Sequence, residues 1–355
     1  MHATPFDQPP ALTPLRFLTA WTFDIWAVIG LVIPLGLYLY GVWRLKRRGD
    51  HWSLGRTLAF CVGGIGSAAI ATLSVLGTYD TVLLSIHMVQ HMLLSMIVPM
   101  FLALGAPVTL ALRVLPVRGR KVLSAVLHSR VVKVLSFPPL ALGLYVANPF
   151  VLYFTPLYEV TLNSGFWHNW MHVHFVVTSS LLYWPLVGVD PIPNRVSYPM
   201  RVLMFFLTLP FHAFLGVSIM STDRLIAEDW YVAFERAWPP SPLADQEIAG
   251  GILWGSGDAI ATVVILVLFV QWYRSSQLEA RRIDRQLDRE EAAAERRASA
   301  ETGAAGAPTE PGAAGGTSEG EPTATDPVGG DTMSEPEDHS ANRTNTVAVR
   351  IRPDE

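Results

Sequence analysis

The sequence predicts an all-α, polytopic membrane protein: a bundle of seven transmembrane helices, N-terminus outside and C-terminus inside, followed by a disordered tail. Three observations carry this prediction. Half of the 355 residues are hydrophobic and only 16% are charged, against about 25% in soluble domains. Seven segments approach the roughly 20 apolar residues that a helix needs to cross a hydrocarbon core of about 30 Å. The basic residues are distributed asymmetrically between the loops that join these segments.

The segments are 24–43, 57–77, 81–104, 137–155, 167–188, 201–221 and 250–273. Residues 1–23 form an extracytoplasmic N-terminal segment, and Met1 to Thr19 lacks the basic start and long apolar run of a secretory signal. With the N-terminus outside, the inner loops 44–56, 105–136 and 189–201 and the start of the tail to Arg297 carry 20 Lys and Arg. The outer segments carry only Arg16, Arg224 and Arg236. The fourth segment is interrupted by Asn148-Pro149, a break tolerated in a membrane where neighbouring groups satisfy the freed carbonyl. Omitting it would destroy the charge asymmetry.

Trp26, Trp43, Trp167, Trp170, Trp184 and Trp272 fall near segment ends, as an interfacial belt does. The inner loop 108–135 alternates basic and apolar residues and reads as amphipathic helices on the inner surface. The outer segment 222–249, with Trp230, Tyr231 and Trp238, is long enough to cap the bundle. Residues 274–298 are charged and alanine-rich and extend the last helix into solvent. Residues 299–355 have too little apolar surface to fold and are expected to be disordered.

Charge divides the chain as composition does. Residues 1–274 hold 17 Lys and Arg against 13 Asp and Glu, and residues 275–355 hold 9 against 17. That excludes an overall basic nucleic-acid binder. The single cysteine, Cys61, excludes an internal disulfide, a CxxC redox pair and a cysteine zinc cage.

The polar residues inside the apolar segments are the functional candidates. The third segment carries His87 and His91, four residues apart and so on one helix face, with Gln90 beside them. Met88, Met92 and Met96 follow a second stripe. The fifth segment carries His168, His172 and His174, the sixth His212 and the seventh Asp258. At about 1.5 Å per residue, His87, His91, His172, His174, His212 and Asp258 lie roughly 8–15 Å below the outer surface, with His168 at the rim. Four helices thus bring polar groups to one depth, as a single site requires. His174 is about 200° around a regular helix from His172, so the two do not face one ion unless the helix is distorted. Imidazole suits copper, zinc and iron, and thioether sulfur suits Cu(I). Met88, Met92 and Met96 read either as packing or as a ladder for copper. Asp258 reads as an outer-shell partner that orients a ligand histidine, as a proton carrier, or as an anchor for the Gly255 and Gly257 helix contact. Gly250 and Gly251 belong to the same small-residue stripe.

Four runs of sequence are diagnostic together. The run HMVQHMLLSMIVPMFLALGAP, His87 to Pro107, resembles the signature of the multi-spanning, Gram-positive bacterial type of CtaG-like cytochrome c oxidase assembly proteins. Further similarity lies in Trp167 to Pro191, Leu209 to Met220 and Ala244 to Asp258, so the resemblance covers roughly residues 20–275. It implies a multi-pass protein of the bacterial plasma membrane that helps to build a haem–copper terminal oxidase by supplying copper. The implied partners are an oxidase subunit or a copper donor protein and the lipid bilayer, with no nucleic acid. Carried over by position, the resemblance makes His87 and His91 the first histidine pair, His168, His172 and His174 the second cluster and His212 the third. Met88 and Met92 are candidate soft ligands, with Asp258 and Gln90 behind them.

Other functions leave different traces. A haem-binding electron-transfer protein could use two facing histidines as axial ligands, although no CxxCH attachment site is present. A transporter needs polar groups in the inner half, where the third segment continues as MIVPMFLALG and the seventh as TVVILVLFV. A metal-free scaffold for oxidase subunits would not need the histidines. No nucleophile–base constellation of an enzyme is recognisable.

Overall fold

Seven long helices dominate the described residues of the computed structural model, which are 10–193, 196–233 and 236–305, with side chains to residue 297. They are α1 (Ile25–Arg47), α2 (Leu54–Tyr79), α3 (Leu84–Val114), α4 (Pro138–Tyr153), α5 (Gly165–Val187), α6 (Tyr198–Met220) and α7 (Pro242–Ala305). No strand occurs among the described residues. The chain divides into two compact units, Met1–Asp288 and Arg289–Glu355. The site described below lies wholly in the first. Of the tail predicted at 299–355, residues 306–355 lie outside the described residues.

Five of the seven helices, α1, α2, α3, α6 and α7, are long and apolar enough to cross a membrane. The other two fall short for different reasons. Helix α4 has 16 residues, about 24 Å of helix. Helix α5 has 23 residues, but His168, Asn169, His172 and His174 lower its apolar character.

Local sequence explains the departures from ideal helix. In α1 the carboxylate of Asp24 accepts from the backbone N–H groups of Trp26 (2.7 Å) and Ala27 (3.1 Å), an N-cap. Arg44, Lys46 and Arg47 close its last turn, where cations suit the helix dipole. Both α2 and α3 contain π-helical stretches, Ala59–Gly66 and Leu93–Ile97. The ladder of α2 breaks at Ser74, whose backbone is extended (φ −86°, ψ −164°). Ser74 Oγ donates to the Ile70 carbonyl (2.5 Å) and accepts from the Leu76 N–H (3.3 Å), re-aiming the last turn. That fold-back brings the Thr72 carbonyl so close to Gly77 that a Cβ has no room. The turn ends at Asp80.

The loop after α3 forms short helices at Val117–Leu127 and Arg130–Leu135, as its amphipathic pattern requires. Asp190, after α5, caps the Pro107 stretch of α3 by accepting from Thr109 N–H (2.7 Å) and Val108 N–H (3.3 Å). The segment between α6 and α7 folds over the other end of the bundle. Its Trp230 donates to the Thr81 carbonyl (2.8 Å), and its Tyr231 hydroxyl lies 2.7 Å from that of Tyr158. The main apolar cluster takes in Met88, Met92 and Met96, each at most 3% exposed. Helices α6 and α7 approach through Gly216 and Gly250, where a Cβ on either would lie 2.7 or 2.5 Å from the other's carbonyl oxygen. Gly251 and Gly255 of the same stripe face open space.

Candidate metal centre

Asp80, His168 and His172 form the one group of histidine, cysteine or acidic side chains among the described residues arranged to hold a metal ion. One ligand atom from each lies within 4.8 Å of the others, and all three residues are buried. His168 and His172 are one turn apart on α5 and so share a face. The break at Ser74 delivers Asp80 opposite them. His168 Nε2 is 2.9 Å from Asp80 Oδ2, and His172 Nε2 is 3.7 Å from the same oxygen.

Gln90 of α3 ties the group together. Its Nε2 donates to Asp80 Oδ2 (2.9 Å) and to the Ala71 carbonyl (2.9 Å). The Ser74 break frees that carbonyl from the i→i−4 ladder, and a buried carbonyl needs a partner. Its Oε1 accepts from His172 Nε2 (3.0 Å). Burial by itself would raise the Asp80 carboxyl. The His168 charge and the hydrogen bonds from His168 and Gln90 outweigh it and hold the group down to about 2.

Two imidazoles and one carboxylate are borderline-to-hard donors, which suit a divalent transition-metal ion. The donor separations of 2.9 and 3.7 Å bracket the ~3.3 Å edge of a tetrahedral site with bonds of about 2.0–2.1 Å. The space beside them, about 20 Å³, is lined by Thr72, Gly77, Asp80, His168, Asn169 and His172, with Thr22 and Asp24 toward the N-terminal segment. That is room for one water or one ion.

The other candidates sit around this centre rather than in it. His87 and His91 are 0% and 3% exposed, and both face Tyr153 of α4, His87 Nε2 at 3.0 Å and His91 Nδ1 at 3.4 Å from its hydroxyl. The His87 ring is 6.3 Å from that of His168, centroid to centroid. His174 points the other way on α5, its Nε2 2.9 Å from Asn148 Oδ1. His212 stays on α6, with Nδ1 3.1 Å from the Thr208 carbonyl and Nε2 3.5 Å from the Tyr145 hydroxyl. Asp258 Oδ1 is buried with no hydrogen-bond partner, near enough to His212 to interact with it electrostatically. Met88 and Met92 pack in the apolar core.

Sequence reasoning overlooked Asp80, Tyr153 and Asp245. Asp80 lies in the short link between two apolar segments. The signal available was the shortness of that loop: 78–80 is too tight a turn to carry a carboxylate out into solvent at the histidines' end of the bundle. Asp245, on α7, caps α3 by accepting from the Leu84 N–H (2.6 Å) and the Ser85 hydroxyl (2.5 Å). It thereby fixes the start of the helix that carries His87, Gln90 and His91.

All of these residues except those of the N-terminal segment fall within residues 36–275, the stretch that matches the family model described as cytochrome c oxidase caa3 assembly factor. Uncharacterised proteins of Mycobacterium bovis and Mycobacterium tuberculosis are each 40% identical over 291 residues, and one of Mycobacterium leprae is 37% identical over 290. Each alignment covers 79% of this chain and 43% of the relative, so the chain spans less than half the length of the curated relatives it matches. No solved structure matches the chain. With the family model covering the whole helical region that builds the buried Asp–His–His group, the chain belongs to the cytochrome c oxidase caa3 assembly factor family.

Proposed function

We propose that the protein is a non-enzymatic, copper-binding assembly factor for a haem–copper oxidase. It holds the ion at Asp80, His168 and His172 near the outer face of the bacterial plasma membrane and passes it to an oxidase subunit, or receives it from a copper donor protein. The observation that carries this reading is the buried Asp–His–His group, in a chain of an oxidase assembly family. In this reading the seven helices all span the bilayer, with the N-terminus outside. Helix α5, and α4 despite its length, are then tolerated as spans because their polar and broken stretches face the bundle.

The donor set favours Cu(II) over Cu(I), since a carboxylate rather than a thioether joins the two imidazoles. Gln90 then holds the carboxylate in place through its Nε2, as outer-shell partners do. The alternative haem-binding role for the histidines finds little support in rings packed edge-on against His91 (Phe175, 4.2 Å) and beside His87 (Tyr158, 4.9 Å).

The test is made in cells lacking the endogenous protein. His168→Ala/His172→Ala is expected to lower the copper content of the isolated oxidase while the variant accumulates in the membrane like the wild type. Full oxidase copper content with the variant would refute copper delivery and favour a metal-free scaffold.

A further inference from the structure

We infer that His87, Tyr153 and His91 form a second ion position deeper in the bundle, in series with the outer group. This rests on the metal-handling role proposed above. Two imidazole nitrogens from successive turns of α3, His87 Nε2 and His91 Nδ1, converge on one phenol oxygen, at 3.0 and 3.4 Å. The longer of these exceeds the usual N–H···O length of about 2.9–3.0 Å. Both lie near the ~2.8–3.3 Å edges of square-planar and tetrahedral sites with bonds of about 2.0 Å. A helix supplies two histidines at i and i+4 on one face, and α4 places the tyrosine against them from across the bundle.

Burial strengthens the case. His87, His91 and Tyr153 are at most 3% exposed. An ion taken at Nε2 leaves the His87 proton on Nδ1, which is buried with no hydrogen-bond partner. The empty arrangement is also limited in a specific way. A phenol has one proton to donate, so one of the two contacts must use an N–H as donor and the other a ring lone pair as acceptor. A cation replaces both contacts with bonds to lone pairs. As the metal–oxygen bond forms, the phenol proton is released to the buffer.

The spacing suits transfer. The rings of His168 and His87 are 6.3 Å apart, so the two positions adjoin inside the bundle and an ion passes between them without crossing hydrocarbon. Bare passage through lipid would cost far more.

The experiment uses the full chain purified in detergent and loaded with Cu(II) alone. Bound copper is counted per chain after desalting, and the visible spectrum is recorded for a phenolate-to-copper charge-transfer band. Wild type is expected to bind two ions and show the band. Tyr153→Phe keeps one ion and loses the band. Asp80→Asn also keeps one ion but retains the band. His91→Gln repeats the Tyr153→Phe result by removing a different ligand, with a melting curve on each variant to show that it is folded. One ion in the wild type, no band and no change in Tyr153→Phe would overturn the inner position and leave the outer one standing. No bound copper in folded wild type would overturn the metal-handling role itself, and the inner position with it.

Discussion

Replacing Asp80 by Asn removes the sole negative charge of the outer group while keeping its shape. In the metal-free protein the amide oxygen can still accept from His168 Nε2 and Gln90 Nε2, both now at 2.9 Å from Asp80 Oδ2. Charge-assisted hydrogen bonds are worth about 1.5–3 kcal/mol and neutral ones about 0.5–1.5, so weakening two of them costs about 2 kcal/mol of stability. The cost to metal binding is larger. Losing a partner behind a ligand typically costs 10–100-fold in affinity, so losing a donor in direct contact costs at least about 100-fold, or ~2.7 kcal/mol. The assay is a competition titration of the outer site with Cu(II) in detergent, beside a thermal melt of the metal-free protein. A variant that loses about that much stability yet still binds at that site with wild-type affinity would show that Asp80 is a structural partner of His168 and not a ligand.

Two further expectations follow from the frame around the site. Asp245→Ala removes the acceptor for Leu84 N–H and the Ser85 hydroxyl and should lower stability by about 1–2 kcal/mol, as loss of a helix N-cap does. An unchanged melting temperature would mean that the start of α3 does not depend on this contact. In a Cys61→Ser background, Thr222→Cys should react with a membrane-impermeant maleimide on intact cells, whereas Ser129→Cys should react only after lysis. The opposite pattern would reverse the proposed topology.

Much of this protein was legible in one dimension. Helix content and the positions of the long helices follow from hydropathy and the 1.5 Å rise per residue, both of which are local properties. Helical periodicity also separated His174 from His172, and the structure turns His174 toward Asn148. Whether a helix faces lipid or protein is less local. Composition alone gives α5 the look of a poor membrane helix, because its polar face is the one that carries His168 and His172.

The make-up of the site was decided by tertiary contacts. Asp80 stands 88 residues before His168, and Tyr153 stands 62 residues after His91. No periodicity links positions on different helices. What joins them is the chain break at Ser74, the Gln90 side chain that takes up the Ala71 carbonyl this break frees, and the Asp245 cap that sets the start of α3. Each segment by itself shows which helices carry imidazole, since rise and hydropathy belong to that segment alone. The packing of those helices chose which imidazoles share a point in space and gave two of them a carboxylate, because that choice depends on rotation about each helix axis, which only its neighbours set.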